Sequence, residues 1–136
     1  MSYGAKSYKN TSIKTATPEQ VLLLLYEGAI KAAKLAKNAL EKQNIPEKCK
    51  QITKVHDIVA ELGNSLDHSK NPAVAEQLES LYEFCASQLL KANMHNDVAA
   101  IDSVIKILTT LYEGWVAAID EVRKSKQQAI GEAKKP

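Results

Sequence analysis

The sequence predicts an all-α protein: an antiparallel up-down four-helix bundle with an extended N-terminal arm. Apolar residues recur at three- and four-residue spacing rather than alternating, which marks one face of a helix. Proline and glycine are scarce inside the body of the chain, and three of the prolines sit where helices should start. Four periodic stretches are joined by short polar segments, a pattern that closes into antiparallel neighbours.

The first helix opens at Thr17-Pro18, with Thr17 as N-cap and Gln20 placed to close a capping box. Its stripe runs Leu22, Leu25, Ala29, Ala32, Ala36 and Leu40. The second opens at Asn44-Ile45-Pro46 and carries Ile52, Val55, Val59, Leu62 and Leu66. The third follows the N-cap candidate Asn71 with Pro72, carries Val74, Leu78, Leu81, Cys85, Leu89 and Ala92, and reaches a candidate left-handed stop at Asn93. The fourth opens at Asn96-Asp97 and carries Ile101, Val104, Leu108, Leu111, Trp115, Ala118 and Val122. The expected organisation is an arm over residues 1–17, a bundle over 18–122 and a basic tail over 123–136.

Composition fits one ordinary domain. The chain has 136 residues, 45% hydrophobic and 25% charged. Its net charge of +2 is unevenly spread: residues 1–17 carry +3, residues 121–136 carry +3, and the body between them carries −4. The longest apolar run, Val21 to Tyr26, is far short of the ~20 residues that span a bilayer, so no membrane insertion is expected. The first residues lack the apolar core of a secretory signal. Cys49 and Cys85 both fall in apolar helical patterns and read as buried free thiols.

No catalytic constellation assembles. His56, His68 and His95 show no Glu-x-x-His pairing of the kind that builds di-metal bundles, and there is no phosphate loop, Gly-x-Ser-x-Gly or Cys-x-x-Cys. No metal, cofactor or enzymatic activity is expected. Nucleic acid is a poor partner for an acidic body with a single arginine, Arg123. Two tetrapeptides repeat, Leu25-Tyr-Glu-Gly28 and Leu111-Tyr-Glu-Gly114, with Leu81-Tyr-Glu83 as a partial third copy. Close helix packing at Gly28 and Gly114 is the favoured reading of the glycines. Tyr26, Ile30, Leu35, Ile58, Ile105, Tyr112, Val116 and Ile119 lie beside the main stripes. An apolar stripe wider than one seam predicts a flank offered to another molecule.

Five motifs in order resemble the FliS family of flagellin export chaperones, from about Tyr8 to Ala118. They are Tyr8-Lys-Asn-Thr-Ser-Ile13 followed by Thr15-Ala16-Thr17-Pro18, and Leu22-Leu-Leu-Leu25-Tyr26-Glu27-Gly28-Ala29. Then come Lys54-Val-His-Asp57-Ile58 with Glu61-Leu62 and Ser65-Leu66-Asp67, and Leu81-Tyr82-Glu83-Phe84 with Leu89-Leu90-Lys91-Ala92-Asn93. The last is Trp115, preceded here by Gly114 where the family has Ala. Ser87-Gln88 replaces the two arginines common before the third-helix leucine, and Asp67 to Ala73 lacks the usual Gly-Gly.

The resemblance implies a bacterial cytosolic chaperone that binds the disordered C-terminal segment of flagellin, prevents premature polymerisation and hands its client to components of the flagellar export gate. The physics allows it, because an amphipathic helix can dock into an apolar groove through anchors at i, i+3/i+4 and i+7. The expected client-binding residues are Tyr8 and Ile13 in the arm, Ile52, Val55, Ile58 and Val59 in the second helix, Tyr82 in the third, and Ile105, Tyr112 and Ile119 in the fourth. Together they describe a groove lined by the flanks of the second and fourth helices with help from the third, which an empty chaperone could plug with its own arm. The alternative is a generic four-helix adaptor that pairs the same flank with a different helical client or, weakly, with itself.

Overall fold

A computed structural model describes residues 16–133, which form four helices. They are α1 (Pro18–Glu41), α2 (Ile45–Asn64), α3 (Pro72–His95) and α4 (Val98–Ala133). α1 and α3 each pack on both α2 and α4, so the helices form a ring in which α2 and α4 stand on a diagonal. This is the expected up-down bundle.

The starts follow the sequence punctuation. Thr17 Oγ1 accepts from the Gln20 N–H while Gln20 Oε1 accepts from the Thr17 N–H, a complete capping box. Thr17 therefore belongs to α1 rather than to the arm. Asn44 and Asn71 cap α2 and α3 through their side-chain oxygens. Asp97 Oδ1 accepts from the Ala100 N–H at the head of α4.

The stops hold the departures. α3 runs past Asn93 to His95, and the left-handed residue is Asn96, with φ 52°. Asparagine is among the few side chains that tolerate this region. After α1 the Gln43 N–H bonds Leu40 O and the Asn44 N–H bonds Ala39 O, with Gln43 at φ 58°. That pairing is a Schellman motif carrying Gln where Gly is usual.

The core joins all four helices. Alanines 29, 32, 33 and 36 let α1 approach closely, and Val55, Leu62, Leu89, Ile101, Val104 and Leu108 fill the interior. Val74 is 42% exposed, because α3 turns Ala75 inward in its place. Cys85 is buried, and burial pushes its thiol from 9.0 up to about 11. Cys49 departs from expectation: it is exposed on the outer face of α2, with Asn93 Oδ1 3.7 Å from its sulfur. A Cβ on Gly28 would touch Ile58 Cδ1 at 3.5 Å, an ordinary contact, whereas one on Gly114 would meet nothing within 4 Å. Close packing thus accounts for neither glycine fully, and for Gly114 not at all.

α4 outruns its partners. Its 36 residues extend roughly 54 Å, against roughly 36 Å for the 24 of α1. Residues 123–133, expected as a tail, continue the helix with every side chain exposed. Lysine, glutamine, glutamate and alanine are good helix formers, and the turn is already nucleated by the bundle. Ala118 and Val122, expected in the stripe, lie beyond most of the core and are exposed.

Candidate functional site

Folding leaves apolar surface both as hollows along the seam between α1 and α4 and as the exposed side chains of Val74, Phe84, Leu90 and Met94 on α3. Near the bundle end, Gln20 and Leu23 of α1 face Trp115, Val116, Ile119 and Val122 of α4 across a furrow of about 660 Å³. Further along the same seam, Ile30, Lys31 and Leu35 line a second hollow of about 700 Å³ with Thr109 and Tyr112. Within the second hollow Tyr112 stands beside Glu27, and desolvation followed by the Glu27 negative charge pushes the phenol pKa upward. Antiparallel α1 and α4 make this line of hollows follow directly from the heptad spacing of α4. Val116 and Val122 keep 40% and 53% of their surface exposed, too much to count as core.

The rims are charged with both signs. Glu19 and Asp120 stand near Arg123 and Lys126 at the open end. Asp120 accepts from Lys124 at 3.1 Å and from Arg123 at 2.8 Å, and these cations hold its carboxyl below the usual range. At the far end of the bundle Lys37 of α1 meets Asp102 of α4 at 2.8 Å, tying the seam closed there.

Behind the furrow lies a buried polar chain. Trp115 Nε1 donates to Tyr26 Oη at 3.2 Å, and the Tyr26 hydroxyl is hydrogen-bonded to that of Tyr82. The chain crosses the core from α4 through α1 to α3. Burial raises the pKa of both phenols, so both stay neutral.

The expected client-binding residues separate into groups. Ile52, Val55, Val59 and Tyr82 are core side chains, none more than 5% exposed. Ile58 is half-buried where α2 meets Gly28 of α1. Ile105, Tyr112 and Ile119 are half-buried and share one face of α4 at seven-residue spacing. Tyr112 and Ile119 open into the seam with α1. α2 and α4 are not among the closely packed helix pairs, and α3 stands between them on one side. Tyr8 and Ile13 lie outside the described residues. Leu23 and Trp115 were not expected to line a furrow: Leu23 hides in the four-leucine run 22–25, and Trp115 reads as simple core.

A smaller hollow of about 430 Å³ lies between α2 and α3, lined by Thr53, His56, Ala86 and Leu90 among others. Among the described residues no group of three or more His, Cys, Asp or Glu could hold a metal ion, and no helix is long and apolar enough to cross a membrane.

Comparison with known proteins gives a consistent picture. The chain matches the family described as flagellar protein FliS over residues 1–122. It is 32% identical over 117 residues to the flagellar secretion chaperone FliS of Salmonella typhimurium (strain LT2), covering 82% of this chain and 87% of that one. It is 29% identical over 125 residues to the flagellar secretion chaperone FliS of Bacillus subtilis (strain 168), covering 92% of each. A solved structure described as a flagellar chaperone from bacteria superposes with a TM-score of 0.72 over 87% of this chain and 98% of its own, at 19% identity, a likeness of fold. With the family match running through the whole bundle and a fold of the same kind, this chain belongs to the FliS family, a family of flagellar secretion chaperones and not of enzymes.

Proposed function

We propose that this chain holds the C-terminal segment of flagellin in the cytosol, laid as an amphipathic helix along the α1–α4 seam. The observation that carries the reading is the line of apolar hollows from Leu35 to Val122, which runs along a single helix–helix seam. Covering that seam would bury apolar surface at about 25 cal/mol per Å². Part of the gain is spent on ordering a client that is disordered when free, which keeps affinity moderate and release easy.

The arm acts on the same site. Ala16 and Thr17 bring the chain to the open end of the furrow, and Thr17 lines it. Residues 1–15, with Tyr8 and Ile13, are thereby tethered beside the hollow at a high effective concentration. An arm that competes weakly with the client keeps the empty furrow covered and yields when cargo arrives. Release then follows handover to export-gate components.

The test is a titration with a synthetic peptide copying the C-terminal helical segment of flagellin, followed by calorimetry and circular dichroism. Saturable one-to-one binding with a gain of helix beyond the sum of the parts is expected. A flat titration rejects the reading. Deleting residues 1–15, which spares the Thr17 cap, should change the dissociation constant several-fold at constant helical content.

A further inference from the structure

Trp115 is the chain's single tryptophan, and it serves two environments. It lines the furrow beside Leu23, Val116 and Ile119. It also packs against the core and donates its indole N–H to Tyr26, which has no exposed surface and is held in turn by Tyr82 of α3. A half-buried indole whose N–H has found a buried partner is fixed in position and orientation. The aliphatic neighbours in the furrow have no such tie. Exposed side chains lose rotamer freedom when a partner docks, and a side chain already fixed avoids that loss.

Resting on the client reading above, we propose that Trp115 is the preset anchor of the furrow and that Tyr26 is its positioning residue. The interior hydrogen-bond chain then shapes the docking surface: the aliphatic face of the client helix lies across an indole whose plane is set from inside the bundle. Tyr26 touches no client itself. It acts by holding the ring that does.

The test uses the full chain and a Trp-free peptide copying the C-terminal helical segment of flagellin. Because Trp115 is the sole tryptophan, its emission and its quenching by acrylamide report this one site. Bound peptide should shield the indole, and Trp115→Ala should weaken binding at least tenfold. Tyr26→Phe should weaken binding about fivefold, the worth of one hydrogen bond, and should raise acrylamide quenching in the free protein. Val104→Ala truncates the core away from the chain of hydroxyls, and should keep wild-type affinity and quenching despite lower stability.

If Tyr26→Phe fails to fold, Trp115→Phe, which keeps a ring and drops the N–H, should give the same fivefold loss. Wild-type affinity and quenching in Tyr26→Phe, or in its absence wild-type affinity in Trp115→Phe, overturns the positioning role. So does an equal loss in Val104→Ala. Full affinity in Trp115→Ala overturns the anchor while leaving the client reading intact. Absence of binding by the wild type removes the client reading and the anchor together.

Discussion

Lys48 of α2 closes the end of α3: its Nζ donates to Asn93 O at 3.0 Å and to Asn96 Oδ1 at 2.7 Å. The side chain is 5% exposed, so its aliphatic stem fills core space while its ammonium serves the last turn of another helix. The negative end of the α3 dipole favours a cation there. Lys48→Met keeps the stem and removes the donor, leaving a terminal carbonyl and the Asn96 amide oxygen without it. A loss of about 1–3 kcal/mol is expected, read as a lower denaturant midpoint at unchanged slope.

Gln43 is a second lever on stability. Its left-handed φ of 58° is required by the Schellman pairing of Gln43 and Asn44 with Leu40 and Ala39. Glycine adopts that region freely, whereas a residue with Cβ is strained there by roughly 1 kcal/mol. Gln43→Gly should raise the thermal midpoint, and Gln43→Val should lower it by more, since a β-branched side chain fits that region worst.

The thiols should separate cleanly. Exposed Cys49 is expected to react with an aromatic disulfide reagent at pH 8, and buried Cys85 to stay silent until the chain is unfolded. One equivalent in native buffer and two in denaturant is the predicted count. Folding raises the Cys85 pKa from 9.0 to about 11, so the folded state binds the proton more tightly. That contribution is present below about pH 9 and fades as pH climbs toward 11. Cys85→Ala should flatten the alkaline limb of the stability profile.

A pair of charge insertions distinguishes furrow from core. Ile119→Asp places a carboxylate on the seam, where it should weaken peptide binding at least tenfold with little change in melting temperature. Ile58→Asp lies where α1 and α2 meet, and should instead destabilise the bundle, because its side chain packs against the core beside Gly28. Measuring both affinity and thermal midpoint for each variant decides which seam serves the client.

Much of the fold was legible because its cues are local. Thr17, Asn44 and Asn71 before prolines mark helix starts by simple hydrogen-bond accounting, and Leu62, Leu89 and Leu108 announce the core by period alone. Asn93 misled because two asparagines stand three residues apart, and either could take the left-handed position that Asn96 holds. The groove was harder. Periodicity shows that α4 has a wide apolar face, but not which neighbour stands beside it. Ile52 and Val59 carry the same hydrophobic signal as Ile119, and only the ring order of the helices separates interior from seam. Cys49 illustrates the reverse error: it stands three residues before Ile52, but its flanking Lys48 and Lys50 already mark a charged stretch, and the thiol is exposed.

The unaccompanied end of α4 leaves one wall of the furrow without a neighbour. From Glu121 to Ala133 no side chain is covered, so what keeps those turns wound is backbone propensity and the Asp120 pairings at their base. In such a segment each residue adds near zero to the free energy of the helix. The wall carrying Val122 and Lys126 is therefore the part of the furrow least braced by the bundle beneath it, like a pier running out past the shore.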